Sequence, residues 1–388
     1  MKKIEKKHFL YGLSLCVILG VVFQCSKDPA GPVGAQFFER SDVGSEHHVS
    51  LFPVSASSFQ VPAATGKSAS LFVGQSKTLS SVILIRFDTV STNASIQNTF
   101  FAFKFQRYSG NIFSPVQFHC YGIHLEWDDS SSSLPRQLPD RSQWEPITTI
   151  EIPVTADTGS VFVDFPIAWV QNLTRTNGQT NLLIESNQTE CLLKINSREA
   201  SSTSKTVPHL LIYTQSDTLL DTLEVYPKED AFIPSWKYPT ETQWLWVQNG
   251  IAWETYFYFD LSSIPPEASI NRALLFLNED TLLAIPNATS TFYWTVYALR
   301  DTLSDFSSVK LDSSYALTGS WTSASPSIRM TSLVQKWTSH QKPNFGFVLK
   351  GAEEKENLMG RGFYSIGSDT LLIPKLDIFY SLPPGTRF

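Results

Sequence analysis

One segment of the sequence, HCYGIHLEWDD, places three metal-type ligands at alternate positions. His124, Glu126 and Asp128 fall on an expected strand, so their side chains would point to one face about 6.7 Å apart. Imidazole and carboxylate groups at this spacing can converge on a divalent metal if a loop supplies further ligands. Solvated polar residues that flank a buried Leu125 and Trp127 give the same pattern. The sequence leaves both interpretations open.

The motifs of common catalytic centres are absent from the sequence. It contains no His-Glu-x-x-His, no Gly-x-Ser-x-Gly, no phosphate-binding glycine-rich loop and no paired cysteines at metal-ligand spacing. Ser-x-x-Lys occurs at Ser202 and at Ser307, in both cases without the companion motifs of that enzyme class. No acid–base pair stands out for a polysaccharide lyase or hydrolase. We therefore expect a protein without enzymatic activity.

Tryptophan is distributed unevenly, with three residues before position 200 and seven after it. Trp244 and Trp246 share a strand face, and Trp236, Tyr238 and Trp253 lie nearby in loop-like sequence. Exposed aromatic rings bind sugars because the C–H face of a pyranose stacks on them while polar groups orient the hydroxyls. This group is the candidate carbohydrate platform. The alternative is that these rings are plain core aromatics of a large sandwich.

Two cysteines, Cys120 and Cys191, lie in the body of the chain. An exported protein reaches a compartment where disulfides persist, so a bridge between the two is one interpretation. Cysteine also behaves as a small core residue, so two buried thiols on separate strands are the other.

The N-terminus has the pattern of a bacterial export signal. The basic stretch MKKIEKK precedes an uncharged, mostly apolar run at residues 9–23, which is short for a membrane span of about 20 residues. Cys25 and a polar, breaker-rich segment follow, which resembles a lipoprotein signal with Cys25 as the lipidated first residue. Gln24 replaces the small residue that normally precedes this cysteine. A simple secretory signal cut nearby and an uncleaved short anchor are therefore the alternatives.

Length and composition favour two β domains. A chain of 388 residues is too long for one ordinary core, and its 13% aromatic and 17% charged residues favour strands over helices. The net charge is −6, with no sustained basic block beyond the N-terminus, so the sequence does not predict nucleic-acid binding.

The sequence contains one long internal repeat. VILIRFDTVSTNASIQNTFFAF at 82–103 matches YFYFDLSSIPPEASINRALLFL at 256–277, and SLFVGQ matches WLWVQN at an offset of 174 positions. Later, VPHLLIY matches IPKLDIFY, which aligns Pro208 with Pro374. A period this long, kept in order along the chain, indicates two homologous domains.

Short apolar runs separated by turn residues predict an all-β protein with two tandem jelly-roll-like β-sandwich domains. The expected organisation is a signal peptide at 1–24, a flexible tether at 25–48, a first sandwich at 49–213, a linker at 214–222 and a second sandwich at 223–383. One helical segment is expected around Thr331 to Trp337, where Leu333, Val334 and Trp337 share a face.

The second copy resembles the DNRLRE-type domain on four motifs that occur in order: VYPKEDAFI, YFYFDLSSIPPEASINRALLFL, TSLVQKWTSHQKPNFGFVLKG and IPKLDIFY. The resemblance covers about residues 223–381, and the first copy is similar but eroded. This family is a β-sandwich module of secreted and surface bacterial proteins, related to carbohydrate-binding modules. Because related jelly rolls often hold calcium, the resemblance also implies Asp230 as a structural calcium ligand, with an ordinary turn residue as the alternative. At the 174 offset the first copy has Ala56 there, so such a site would be absent from it.

We therefore expect a non-enzymatic lipoprotein of the bacterial cell envelope, held at the outer membrane or cell surface through its lipid, whose modules bind polysaccharide. A structural or adhesive surface protein without a glycan site is the alternative. A buried Trp244–Trp246 pair would favour that alternative, whereas an exposed groove lined by them would favour glycan binding. The sequence does not indicate an oligomeric state.

Overall fold

The computed structural model describes residues 45–383 apart from a set of short gaps. The gaps are residues 62, 64, 91, 93, 112–114, 130–137, 153–156, 176–179, 187–189, 201–205, 217–218, 238–242, 286–289 and 323–325. This part of the chain is all-β, which confirms the predicted fold class. None of its helices has both the length and the apolar character that crossing a membrane requires. The expected signal peptide, the lipidation site Cys25 and most of the tether lie outside the described residues.

Strands alternate with turns along the whole described chain. The strands of the first half are β1 (Glu46–Leu51), β2 (Ser55–Gln60), β3 (Ser70–Gln75), β4 (Leu79–Phe87), β5 (Ser95–Gly110), β6 (Val116–His124), β7 (Glu145–Ile152), β8 (Thr158–Asp164), β9 (Thr180–Ser186), β10 (Cys191–Asn196) and β11 (His209–Ser216). The strands of the second half are β12 (Leu219–Val225), β13 (Pro227–Trp236), β14 (Trp244–Gln248), β15 (Trp253–Tyr258), β16 (Ser269–Phe276), β17 (Phe292–Leu299), β18 (Leu311–Trp321), β19 (Ser327–Arg329), β20 (Phe347–Gly351), β21 (Gly360–Tyr364) and β22 (Lys375–Ser381). The α-helices of the described part are α1 (Ile167–Arg175) and α2 (Thr331–Thr338).

The strands form three sheets around two main cores. One sheet has the order β12-β11-β5-β10-β3-β4-β9-β6-β7, with β13 beside β4 and β8 beside β5, and we call it module I. Module II consists of a sheet with the order β18-β17-β20-β15-β14-β21, with β2 beside β15, and a second sheet with the order β1-β22-β16-β19. The core of module I fills the curl of its sheet, and the core of module II lies between its two sheets.

Each module contains two strands from the other half of the sequence. β1 and β2 pair with β22 and β15 of module II, whereas β12 and β13 pair with β11 and β4 of module I. The boundaries predicted for the two sandwiches, 49–213 and 223–383, therefore do not follow the sheets. The sequence repeat and the hydrogen-bonded modules are offset by one pair of strands.

The structure also differs from the prediction in the two connecting segments. Residues 46–48, expected in the flexible tether, belong to β1. Of the expected linker, residues 214–216 form the end of β11 and residues 219–222 form the start of β12. Ser216 lies opposite Leu219 in this hairpin, and the antiparallel ladder satisfies backbone groups that a linker would expose to water. The strand β12 was not predicted because it is exposed along most of its length and carries polar residues such as Asp221 and Thr222.

The predicted helix is confirmed, and a second helix was missed. Leu333, Val334 and Trp337 are buried on one face of α2, as their spacing predicts. In α1, Trp169, Val170 and Leu173 repeat the same spacing and are buried in the core of module I. The spacing was the signal that would have identified α1.

Apolar residues at successive positions cover both faces of the central strands. In β4, Ile83 and Ile85 lie in the core of module I, whereas Leu84 packs on the opposite face against Trp127 and Ala231. The successive apolar residues of the run VILIRF are the sequence signal for this arrangement.

Candidate functional site: the joint between the modules

The candidate carbohydrate platform is brought together, but most of it is covered. Trp246 and Trp253 are 4% and 7% exposed, and Trp236 and Trp244 are half-buried. The ring of Trp236 stands edge-on to that of Trp246, with 4.5 Å between their centroids, and lies 5.9 Å from that of Trp253. Tyr238 lies outside the described residues. The predicted grouping is therefore real for four residues, whereas an exposed groove is not what they form.

These tryptophans belong to an apolar cluster that joins the two modules, which we call the joint. Module I contributes the buried residues Phe72, Leu79, Leu192 and Phe232 to this cluster. The buried members from module II are Trp246, Ile251, Trp253, Leu283, Ile285 and Leu358. Burial of large apolar side chains on this scale contributes about 1.5–3 kcal/mol for each one, so the cluster holds the modules together.

The two copies contribute equivalent residues to the joint. Phe72 and Trp246 correspond at the 174 offset, as do Leu79 and Trp253. Their surroundings correspond as well, since Ser81 Oγ donates to the carbonyl oxygen of Phe72 at 2.7 Å. Thr255 Oγ1 donates to the carbonyl oxygen of Trp246 at the same distance. The two modules therefore contact each other through equivalent faces, as the two subunits of a twofold dimer do.

Two glycines make room for the side chains of Trp246 and Gln248 on module II. Gly362 lies directly opposite Trp246 across the β14–β21 ladder, and a Cβ atom at Gly362 would lie 3.0 Å from the indole ring. A Cβ atom at Gly360 would lie 2.8 Å from Cγ of Gln248, so this glycine makes room for the side chain of Gln248. The run Gly-Arg-Gly at 360–362 was the sequence signal for this close approach.

Arg361, between these glycines, is fully buried beside the joint. Its Nη1 lies 3.4 Å from Oε1 of Glu279, and its Nη2 donates to the carbonyl oxygen of Ser290. Burial raises the pKa of Glu279 to about 7, although the positive charge of Arg361 opposes this shift. Burial also raises the pKa of Tyr108 above its ordinary value. The group is an ion pair without a nucleophile or an accessible base.

A second buried ion network lies on the sheet of module II. Lys350 Nζ contacts Glu254 Oε1 at 2.7 Å and Glu354 Oε1 at 2.8 Å. Burial raises the pKa of Glu254 to about 7, against the effect of Lys350. Both carboxylates are held by one ammonium group, which is the arrangement of a structural ion pair.

Asp230, the proposed calcium ligand, is fully buried on β13. One carboxylate oxygen accepts a hydrogen bond from the backbone N–H of Arg198 at 2.8 Å, and burial raises the pKa of Asp230 to about 8. Arg198 also binds Asp129 at 2.7 Å, and Lys67 binds the same carboxylate at 2.7 Å. Cations of the chain therefore neutralise part of this cluster. No group of three or more His, Cys, Asp and Glu side chains able to hold a metal occurs in the described part of the chain.

The other predicted site residues are separate from the joint. β6 ends at His124, so Glu126 and Asp128 follow the strand and do not lie on it, which corrects the strand predicted for all three. All three side chains are exposed, and the intervening Trp127 is buried. Cys120 and Cys191 are free, buried thiols, so the disulfide interpretation is wrong and the core interpretation holds.

A scan against models of known protein families finds no match to the chain, and a search of curated proteins finds no related sequence. The resemblance to the DNRLRE-type domain therefore stays a prediction.

Proposed function

We propose that the chain is a non-enzymatic protein of the bacterial cell envelope, anchored through a lipid on Cys25, whose two modules form one structural or adhesive body. The burial of Trp246 and Trp253 in the joint carries the proposal. Both rings pack against the ring of Trp236 on β13 of module I, so these faces are already occupied where a sugar would stack. The joint fixes the modules to each other, which suits a surface body at the end of a tether.

Polysaccharide binding is the second candidate, supported by an aromatic patch on module I. Phe162 and Tyr213 are 55% and 39% exposed, and Phe100 lies between them with ring centroids at 4.5 Å and 5.6 Å. Exposed Asp164 and Lys104 flank the rings on the same strands. Rings with polar neighbours provide the chemistry that binds sugar C–H faces and hydroxyls.

A glycan array probed with the chain from residue 25 onward separates the two candidates. A structural or adhesive body retains no glycan. Under the second candidate, the chain retains a glycan, and Phe162→Ala with Tyr213→Ala abolishes retention. Tyr293→Ala is the matched control, because Tyr293 is a comparably exposed aromatic residue of module II. Loss of retention in Trp244→Ala, with an unchanged melting temperature, would contradict both assignments and restore the predicted platform.

The lipid anchor is tested by fractionation. Cys25→Ala should release the chain from membranes and abolish incorporation of labelled fatty acid, because a covalent lipid is then missing. Unchanged fractionation together with no labelled lipid on the unaltered chain would reject the anchor.

A further inference from the structure

The strands exchanged between the halves occupy equivalent places in the two modules. His48 of β1 lies opposite Phe379 of β22, and Thr222 of β12 lies opposite Tyr213 of β11. Thr222 stands 174 positions after His48, and Phe379 stands 166 positions after Tyr213, which is the offset of the aligned prolines. Both ladders therefore have the same register.

The second exchanged pair shows the same correspondence. Ala56 of β2 lies opposite Phe257, and Asp230 of β13 lies opposite Ile85. Asp230 stands 174 positions after Ala56. Phe257 stands 172 positions after Ile85, which is the offset of the Phe-Asp pairs at 87–88 and 259–260 in the repeat. Each module thus has one acceptor site for a pair of strands, and each site is filled by the first two strands of the other copy.

We call the two strands that fill an acceptor site its donor pair. The donor pair of module II, β1 and β2, is an integral part of that module. Val49, Leu51 and Ala56 pack against its core, and Phe59 is buried with Tyr256. Its polar groups are also specific. Ser58 Oγ accepts from the backbone N–H of Trp246 at 2.6 Å, and Ser50 Oγ donates to Asp377 at 2.5 Å.

The chain segment that links this donor pair to the other strands of module II contains all the strands of module I. β2 ends at Gln60, and the first strand that module II takes from its own copy begins at Trp244. None of the contacts between donor and acceptor depends on this covalent path. A donor pair from a second chain would make the same contacts.

Charged residues prevent the wrong donor from entering. Asp230 replaces Ala56 at the repeat offset, so β13 in the acceptor of module II would bury a carboxylate against Phe257. In module I, Asp230 accepts from the N–H of Arg198, and Glu229 pairs with Arg86. In the acceptor of module II, Glu229 would lose Arg86 and the carboxyl of Asp230 would lose the N–H of Arg198. Leaving such buried groups without partners is strongly destabilising, so each acceptor selects its own donor.

We propose that residues 46–60 form an exchangeable strand pair, and that module II accepts this pair from a second copy of the chain. The partner is thus another molecule of this protein, joined by exchange of its first two strands. Closure within one chain dominates in dilute solution, because a linked donor has an effective concentration on the order of millimolar. Exchange between chains follows when donors are released at high protein concentration.

The test uses two chains, each from residue 25 onward with Cys25→Ser, Cys120→Ala and Cys191→Ala and with tags of different length, so that each chain carries a single introduced cysteine. One carries Ser50→Cys and the other Asp377→Cys, residues that lie opposite each other on β1 and β22. The two are unfolded, mixed, refolded at high concentration and oxidised. Neither chain can form the bridge by itself, so a mixed disulfide dimer on a non-reducing gel reports exchange between chains.

The matched control replaces Asp377→Cys with Leu211→Cys, the equivalent position on module I, 166 residues earlier. A bridge there would require β1 to enter the acceptor of module I, where Arg86 would lose its partner. We expect at least about tenfold less mixed dimer with Leu211→Cys, since a selectivity of tenfold corresponds to about 1.4 kcal/mol.

Light scattering of the chain without added cysteines, refolded at the same concentration, is the second readout. We expect a dimer fraction that increases with the protein concentration during refolding. Equal amounts of mixed dimer from the two thiol pairs would overturn the proposal. A monomer at every concentration would overturn it irrespective of the thiol result.

Discussion

The two modules contribute equivalent positions of the repeat to the joint, but the side chains at these positions differ. Module I supplies Phe72 and Leu79, whereas module II supplies Trp246 and Trp253 at the same places in the repeat. Module II also carries the buried Arg361 beside its contact surface, between Gly362, which accommodates the ring of Trp246, and Gly360, which accommodates Gln248. The first copy thus has smaller apolar residues at these positions, and the second has large rings together with the space that Trp246 needs.

This difference shows why a group of aromatic residues in the sequence does not by itself identify an exposed platform. The tryptophans of the second copy are complementary to the smaller side chains of the first, so they fill an internal contact. A surface platform would need rings that face solvent, and the described part of the chain presents such rings on module I.

The largest expected effect concerns the limits of module II. A fragment of residues 223–388 lacks β1 and β2, and it carries the last three residues of β12 and all of β13 without their partners. We expect it to show no cooperative thermal transition, because an edge strand and several core side chains are missing. The measurement is circular dichroism during heating.

A rearranged fragment is the matched control for this truncation. It begins at residue 243, continues to 383 and then returns through a Gly-Ser linker to residues 45–61. The linker is short, since the N–H of Leu382 donates to the carbonyl oxygen of Ser45 at 3.0 Å. We expect this fragment to melt cooperatively. A cooperative melt of 223–388 at the same temperature would instead support the boundaries predicted from the sequence.

A smaller loss is expected from the joint itself. Trp246→Ala should lower the free energy of unfolding by about 3–5 kcal/mol, because it leaves a cavity between the modules. Tyr293→Ala, on the exposed surface of module II, should change it by less than about 0.5 kcal/mol. Denaturant unfolding of both variants is the measurement. Equal stabilities of the two variants would show that the joint does not hold the modules together.

Much of the fold was predictable because the apolar patterns are local. The strand around Ile83 and the helix around Val334 follow from side-chain spacing, which each segment carries by itself. The exchange of strands was not predictable, because both copies have the same register and the repeat fits either pairing equally well. Asp230 against Ala56 was a visible difference, but its meaning depends on the partner Arg198, which is distant in sequence.

The candidate site shows the same limit. The sequence placed Trp244 and Trp246 on one strand, and they do lie together on β14. Whether Trp246 faces solvent depends on Phe72 and Phe232, which reach it only through the folded joint. Strand spacing determines which residues share a face, and it does not determine what covers that face.

The stability of the chain should depend on pH through Asp230, which β13 carries at the position where its counterpart β2 carries Ala56. Burial raises the pKa of Asp230 to about 8, so the folded chain holds a proton that the unfolded chain releases near pH 4. The resulting stability is fully present below that pH and is lost as the pH rises toward 8. Between pH 6 and pH 8 the loss from this group is about 2 kcal/mol.

Urea unfolding at pH 6 and pH 8 measures this contribution. Asp230→Asn should remove it, whereas the slope from Glu254 and Glu279 remains, because burial raises the pKa of each to about 7. Asp260→Asn is the control, since hydrogen bonding to Ser262 lowers the pKa of this exposed carboxyl. An unchanged slope in Asp230→Asn would mean that Asp230 does not take up a proton on folding.

The smallest effect is expected from the two thiols of module I. Cys120 and Cys191 are free and buried, and burial raises their pKa values to about 12 and about 11. Both therefore lack the thiolate that reacts with labelling reagents at neutral pH. In the chain carrying Cys25→Ser, a reductant should shift the melting temperature by less than about 1 °C, because no disulfide constrains the unfolded state. A thiol reagent should label both residues only after unfolding, whereas the exposed thiol of Ser50→Cys should react at once. Rapid labelling of the folded chain, or a lower melting temperature on reduction, would contradict the buried thiols.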